Sequence, residues 1–309
     1  QLSTIFLCPS ATLTSLSLHQ CRTLTNEVFV SMISSLESLQ HLDVSWTRIG
    51  GQQREKVADG TIVRDKPDIF ARIPKGLLTL RAELCDQINN ANVVSISESC
   101  RSLVLLDLSG TRVGDFGIKA LVSGLGSTLQ NLNVSLCKWI SAEGCGRLSG
   151  FKSLRSLDAS GTLLDDDALS LIALGLLERE LVNLNISKCR NLTNGALGIL
   201  AQSFSKSTAL AFLNLGANNF NDEGIVSSQF LSHLPPSLIL LSLAWAAISD
   251  DGLKTFHPST PCKLRSLDLS WTRVTTAGIA LLLDKCPSVH HLNLSGVQKV
   301  TPELRQHFA

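Results

Sequence analysis

The sequence contains no tyrosine, one methionine and only four tryptophans among its 309 residues. Charged residues make up 17% of the chain, and 27 basic side chains nearly balance 26 acidic ones. A net charge of +1 with both signs interspersed offers no electrostatic footprint for a phosphate backbone or an anionic bilayer. We therefore expect no nucleic acid among the partners.

Long hydrophobic runs and catalytic motifs are also missing. The longest nearly unbroken apolar run, 238–248, is far shorter than the roughly 20 residues that a membrane span needs. The chain has no Gly-rich phosphate loop, no H-E-x-x-H and no G-x-S-x-G, and its seven histidines are scattered. The sequence therefore predicts no membrane span, no enzyme, and neither a cofactor nor a metal site.

The nine cysteines form no C-x-x-C pair, which argues against a zinc site or a redox motif. A free cysteine behaves in a protein core as a small hydrophobic residue. We therefore predict buried, unpaired thiols in a reducing compartment, which places the chain inside the cell, in the cytoplasm or the nucleus.

What the sequence does contain is a repeat, shown most plainly by residues 102–121. Leu103, Leu106 and Leu108 follow the spacing L-x-x-L-x-L, so the last two share one face of an extended segment. The apolar residues after the turn recur at helical spacing, and they are Ile118, Leu121, Val122 and Leu125. A unit of about 26 residues cannot bury both apolar faces alone, so copies must stack on either side, which predicts a solenoid.

Eleven copies align on the middle leucine, and all but one of the steps between them are 25 to 29 residues. These leucines are Leu16, Leu42, Leu80, Leu106, Leu132, Leu157, Leu184, Leu213, Leu241, Leu267 and Leu292. The exceptional step of 38 residues indicates an insertion at 51–76, a loop extension with room for one short helix. We predict a single domain over 1–309 whose two ends fall inside repeats.

The pattern L-x-x-L-x-L-x-x-C-x-x-L-T-N spans 13–26 and, with one isoleucine, 181–194. It resembles the cysteine-containing subclass of leucine-rich repeat proteins. The resemblance implies an α/β fold, a right-handed solenoid or horseshoe with parallel strands on the concave face and helices on the convex face. Such repeats are best known as the substrate-recognising part of F-box ubiquitin ligase receptors. The resemblance also implies contact with a Skp1-like adaptor through a region outside this chain.

The residues alternating with the strand leucines point to the concave side, where we expect a protein partner. One row of Asp and Asn admits two readings, a polar docking strip or a structural ladder in which neighbouring strands share hydrogen bonds. The next row contains three tryptophans, which either anchor a partner or cover the solenoid rim. We predict a partner-binding set where repeats depart from the common pattern, namely Trp46, Arg81, Glu83, Lys188, Trp245 and Trp271.

Three classes of function remain open at this stage. The first is a non-catalytic protein-protein interaction module, with the substrate-recognising arm of a ubiquitin ligase as its specific form. The second is a structural or assembly subunit of a large multiprotein complex. The third is an extracellular receptor, which would carry glycans on the N-x-S/T sites that begin at Asn133, Asn185, Asn191 and Asn293.

Overall fold

The computed structural model describes residues 12–51, 54–56, 62–65, 68–177, 179–256 and 263–299. The chain divides into two compact units, Gln1–Leu154 and Arg155–Ala309. The single domain over 1–309 stays a prediction, as does the expectation that both ends fall inside repeats, which concerns residues outside the described ones.

The first unit repeats a short strand, a turn and a helix. Its strands are β1 (Ser15–Ser17), β2 (His41–Asp43), β3 (Arg54–Lys56), β4 (Ile62–Asp65), β5 (Thr79–Arg81), β6 (Leu105–Asp107) and β7 (Asn131–Asn133). Its α-helices are α1 (Asn26–Ile33), α2 (Asn90–Ser99), α3 (Asp115–Leu125) and α4 (Ala142–Arg147), with 3₁₀ turns at Ile69–Arg72 and Leu148–Gly150. Strands β1, β2, β5, β6 and β7 pair in parallel in that order, while β3 and β4 form an antiparallel pair.

The second unit continues the same alternation. Its strands are β8 (Ser156–Asp158), β9 (Asn183–Asn185), β10 (Phe212–Asn214), β11 (Leu240–Ser242), β12 (Ser266–Asp268) and β13 (His291–Asn293). Its α-helices are α5 (Asp166–Ile172), α6 (Gly195–Phe204), α7 (Asp222–Ser228), α8 (Asp250–Lys254) and α9 (Thr276–Lys285), with a π-helical turn at Ala173–Leu177 and a 3₁₀ turn at Phe230–Ser232. All six strands pair in parallel in chain order.

The strand leucines set the register of both sheets. Each repeat's middle leucine lies opposite the next one, as Leu42 lies opposite Leu80 and Leu241 opposite Leu267. Apart from Leu16 in the first strand, these leucines are buried, and each buried leucine side chain stabilises the fold by about 1.5–3 kcal/mol. The predicted parallel strand and helix repeat is therefore confirmed.

The insertion at 51–76 contains more structure than a loop with one short helix. It includes the antiparallel pair β3 and β4, which its charged, Gly-containing sequence did not indicate, and the 3₁₀ turn at Ile69–Arg72. Phe70 in that turn is buried, with its ring 5.8 Å from Phe29 of α1. Burial raises the pKa of Asp68, against hydrogen bonds from the Phe70 amide and Asn92 that lower it.

Threonine and cysteine alternate after the strands because they share an acceptor. Thr111 Oγ1 donates to the Leu108 carbonyl over 2.6 Å, and Cys137 Sγ of the next repeat donates to the same oxygen over 3.1 Å. Thr47 with Cys85 and Thr162 with Cys189 repeat the arrangement. The predicted core role is confirmed for six described cysteines, Cys85, Cys100, Cys137, Cys145, Cys189 and Cys286. Cys21 lies in the turn after β1 and is exposed, and β1 is the first of the described strands.

Alkaline pH should destabilise the chain through these thiols. Burial raises the pKa of Cys85, Cys137 and Cys189, and it raises that of Cys100 from 9.0 to about 12. The folded state then keeps protons that the unfolded state loses, so stability is intact below pH 9 and falls as the pH rises towards 12. Each such thiol contributes a slope of about 1.4 kcal/mol per pH unit.

Urea unfolding at successive pH values measures that slope, and Cys100→Ala should make it shallower. Thiolate absorbance gives a parallel readout, since the chain has no tyrosine to titrate in the same range. A stability independent of pH above 9 would contradict the assignment.

A second ladder joins the helix starts. Asp250, the first residue of α8, accepts hydrogen bonds from the Thr275 amide over 2.7 Å and from the Thr275 hydroxyl over 2.6 Å. Asp115 and Asp222 bind Ser141 and Ser249 in the same way. The acidic helix starts therefore cap the next helix as well as favouring their own positive end.

Candidate protein-binding surface

One residue in every repeat, three positions after the strand ends, adopts a left-handed backbone conformation. These eleven residues, called the turn row here, have φ between +53° and +73°. They are Gln20, Trp46, Leu84, Gly110, Leu136, Gly161, Lys188, Ala217, Trp245, Trp271 and Gly296. The conformation points the amide at the next strand, as the Trp245 amide donates to the Ser270 carbonyl over 2.8 Å. Glycine adopts this conformation without strain, whereas any other residue in it destabilises the folded state by about 1–2 kcal/mol.

Large side chains of the turn row lean on the following repeat. The rings of Trp245 and Trp271 stack with centroids 4.5 Å apart and planes 12° apart, and we call this pair the tryptophan stack. A Cβ on Gly296 would lie 2.4 Å from the Trp271 ring, and one on Gly110 would lie 2.4 Å from Leu84. Glycine therefore occupies the positions where the side chain of the preceding repeat fills the space that a Cβ would need.

The tryptophan stack is nevertheless open to solvent. Trp245 is 59% exposed and Trp271 is 53% exposed, so stacking covers about one face of each ring. The rings therefore pack on each other and still present a large aromatic surface. Two bulky residues at strained positions with little burial are not explained by the stability of the fold.

The Asp and Asn row on the strands supports the structural reading. Asn133 Nδ2 donates to Asp107 over 3.1 Å, and Asn185 Nδ2 donates to Asp158 over 2.8 Å, so neighbouring strands share hydrogen bonds. Each carboxylate also accepts the amide two residues later, as Asp107 does from Ser109. Within the described ranges, no group of three or more His, Cys, Asp or Glu residues is placed to hold a metal ion.

The structure brings some of the predicted site residues together. In the first unit, the Trp46 amide donates to the Glu83 carbonyl over 2.8 Å, and exposed Arg81 is the last residue of β5, two residues before Glu83. In the second unit, only Trp245 and Trp271 contact each other, while exposed Lys188 lies two strands before Trp245. Whether these six residues bind a partner stays a prediction.

Sequence reasoning missed other exposed apolar residues. Trp139, at 69%, is the most exposed tryptophan, and it lies in a longer turn that shifts it out of the aligned row. Leu136 of the turn row and Phe212 at the start of β10 are also exposed. For Phe212, the available signal was an apolar residue at a strand position where most repeats carry a polar one.

A cleft opens beside the tryptophan stack in the second unit. It encloses about 320 Å³, and its lining residues are Trp271, Thr272, Arg273, Val274, Gly296, Gln298 and Lys299. No other predicted site residue lines it. Among the described helices, none is long and apolar enough to cross a membrane.

Comparison with known proteins places these repeats in context. The family model for the leucine-rich repeat matches residues 35–52, 99–122 and 260–283. The chain is 29% identical to ribonuclease inhibitor of Sus scrofa over 291 residues, which cover 89% of this chain and 61% of that protein. It is 34% identical to human NACHT, LRR and PYD domains-containing protein 13 over 154 residues, 47% of this chain and 14% of that protein.

The fold also has solved counterparts. The yeast Rad7 and Elc1 complex contains a chain that matches with a TM-score of 0.56 and 17% identity, over 94% of this chain and 78% of that one. At this identity the likeness concerns the fold alone. The resemblance to leucine-rich repeat proteins is confirmed, and the chain spans less than two thirds of the length of these curated relatives.

Proposed function

We propose that this leucine-rich-repeat chain is a non-catalytic protein-binding module with the tryptophan stack as its anchor. The observation that carries the proposal is an exposed, stacked tryptophan pair held at backbone positions that favour glycine. Tryptophan is enriched among the residues that dominate binding energy, because its large rigid ring buries much area for little lost freedom.

The energies of the fold support a binding role for the pair. Each left-handed tryptophan has an unfavourable backbone term of about 1–2 kcal/mol. The stacking itself returns about 0.5–1.5 kcal/mol for the pair. The backbone term for the pair is thus at least as large as the stacking term, so two glycines would serve the fold no worse, as Gly110 does in the first unit. Binding to a partner would account for the retained rings.

The relatives support a protein as the partner. One of them, ribonuclease inhibitor, is named for its action on another protein. Six parallel strands at about 4.8 Å spacing give the second unit alone a strand surface about 24 Å wide. That width suits a protein segment better than a small molecule. The buried thiols fit a reducing compartment, and we place the chain inside the cell on that basis.

The ubiquitin ligase arm is the more specific form of this proposal. It rests on the repeat motif alone, and it predicts that the full-length protein co-purifies with a Skp1-like adaptor. A structural subunit is the alternative, and it predicts instead that the chain is insoluble or unstable without its complex. Purification of the full-length protein, with mass spectrometry of what accompanies it, separates the two.

The double substitution Trp245→Gly and Trp271→Gly tests the anchor. We expect the amount of each specific partner captured from cells to fall at least tenfold, which corresponds to about 1.4 kcal/mol. The thermal midpoint should stay nearly unchanged, because relieved backbone strain offsets the lost stacking.

Ala217→Gly is the matched control, since it makes the same backbone change in the turn row without removing an aromatic ring. It should leave capture intact and should not lower the midpoint, because it relieves the backbone strain without losing a stacked ring. Unchanged capture by the tryptophan variant would remove the stack from the binding surface, and a collapse of its thermal midpoint would show that the rings are structural.

A further inference from the structure

The cleft beside Trp271 combines an aromatic wall with two cationic side chains. Arg273 and Lys299 occupy the same place in neighbouring turns, and both line the cleft. The Arg273 amide donates to the Ile248 carbonyl over 2.8 Å. Lys299 pairs with Thr275 as an isolated parallel bridge. The two side chains therefore start from fixed backbone positions on one edge of the second unit.

The positive charges of Arg273 and Lys299 are not neutralised by the part of the chain that the structure describes. Both residues are exposed, and no described carboxylate lies within ion-pair distance of either. The ion pairs seen in the second unit lie elsewhere, at Arg155 with Glu180 and at Lys254 with Asp251. In a chain with a net charge of only +1, Arg273 and Lys299 thus line one cleft with no carboxylate partner among the described residues.

The aromatic part of the cleft lining is held in place by its neighbours. Trp271 is fixed by its stack with Trp245, and Gly296 leaves the ring accessible because no side chain stands in front of it. A ligand entering the cleft would meet an aromatic surface and two charged donors. The volume of about 320 Å³ lies at the lower end of the range of about 300–1,000 Å³ for ligand sites, so a few residues of a peptide would fill it.

We propose that this cleft binds an extended acidic segment of the protein partner. An Asp or Glu carboxylate of that segment pairs with Arg273 and Lys299, and an adjacent apolar side chain lies on the tryptophan stack. Arginine presents a planar fork that suits a carboxylate, and a charge-assisted pair beside an aromatic wall gains from the lower local dielectric. This inference rests on the proposed protein-binding function and assigns the chemistry that the partner must carry.

A protein segment fits these features better than a nucleic acid does. The rings of Trp245 and Trp271 are already in contact at 4.5 Å, which leaves no space for a base between them. Two cations in one cleft also fall short of the long basic groove that follows a phosphate backbone. Single-stranded RNA is therefore an outcome of the test and not part of the proposal.

Selection from a random peptide-display library on the purified chain tests the charge preference. We expect the selected peptides to be enriched in Asp or Glu next to an aromatic or aliphatic residue. Synthetic copies of these peptides should bind at least about tenfold more tightly than versions with Gln and Asn in place of Glu and Asp, and added salt should weaken the binding.

The double substitution Arg273→Glu and Lys299→Glu should invert the selection, so that Lys and Arg replace the acidic residues. The matched control is Lys263→Glu with Arg265→Glu, two exposed residues near the start of β12, which changes the net charge equally and should leave the selection as it was. Thermal midpoints of both variants verify folding.

Several outcomes would overturn the proposal. They are selected peptides without acidic residues, an unchanged selection by the Arg273 and Lys299 variant, tighter binding of a single-stranded RNA oligonucleotide than of the peptides, and no selected peptide at all. The capture experiment with the tryptophan variant is scored separately in cells. A module that binds partners through the stack but shows no acidic preference would keep the proposed function and lose this cleft.

Discussion

Replacing Gly278 by alanine is expected to lower the free energy of unfolding by about 3 kcal/mol, because each charge-assisted hydrogen bond that is lost costs about 1.5–3 kcal/mol. A Cβ at Gly278 would lie 2.1 Å from Asp250 Oδ1, so the carboxylate must leave its position. It would then lose both hydrogen bonds to Thr275, whose amide and hydroxyl cap helix α9. The midpoint of urea unfolding measures the loss.

The sign of this effect should depend on Asp250. In the background Asp250→Ala, the space beside Gly278 is free, so Gly278→Ala should stabilise α9 by up to about 1 kcal/mol through helix propensity. A double-mutant cycle therefore isolates the contact.

Gly198→Ala is the control for helix propensity alone. Gly198 lies inside helix α6, and its Cβ would meet no atom closer than 3.9 Å. This substitution should be neutral or stabilising in the natural background. If Gly278→Ala behaves like Gly198→Ala, or if Asp250→Ala does not change its sign, the proposed contact between the carboxylate and the glycine is wrong.

The strands could be predicted from the sequence because their leucines recur at a regular spacing, and the helix starts because capping residues mark them. Each middle leucine falls at the centre of a strand, and Asp115, Asp166 and Asp222, an acidic residue type typical of helix starts, are the first residues of α3, α5 and α7. The antiparallel pair in the insertion was missed, since a single charged copy of a segment has no internal repeat to align with.

The backbone conformation of the turn row could not be predicted from the spacing of the repeats. Its position in each repeat was visible, but its left-handed conformation was not, because a backbone angle leaves no apolar pattern. The signal was present in Gly110, Gly161 and Gly296, which share the row with the tryptophans. The register of parallel strands predicted that Trp245 and Trp271 are neighbours, and the stack confirms it.

The cleft was beyond sequence reasoning for a geometric reason. Arg273 follows Trp271 by two residues, whereas Lys299 follows Gly296 by three, so a strict alignment separates two side chains that line one cavity. Turns of unequal length restore the equivalence in space, as the bridge between Thr275 and Lys299 shows. A predicted surface therefore depends on turn geometry more than a predicted core does.

The largest stability effect outside the helix starts should come from Asn218. This buried side chain replaces the threonine and cysteine ladder in its repeat. Its Nδ2 donates to the carbonyls of Ile186 and Leu215 over 3.0 and 2.9 Å, and its Oδ1 accepts the Cys189 amide over 2.8 Å. Asn218→Ala leaves these three buried groups unpaired at about 1–3 kcal/mol each, so we expect a loss of about 4 kcal/mol.

Asn218→Cys should recover about half of that loss, because Cys137 reaches the corresponding carbonyl of its preceding strand over 3.1 Å. The exposed neighbour Asn219 is the control, and Asn219→Ala should change stability by less than about 0.5 kcal/mol. Amide hydrogen exchange at Cys189 gives a local readout, since its amide loses the Asn218 Oδ1 acceptor in both variants. Equal stability of the alanine and cysteine variants would mean that packing, and not the shared carbonyl, holds the repeats together at this turn.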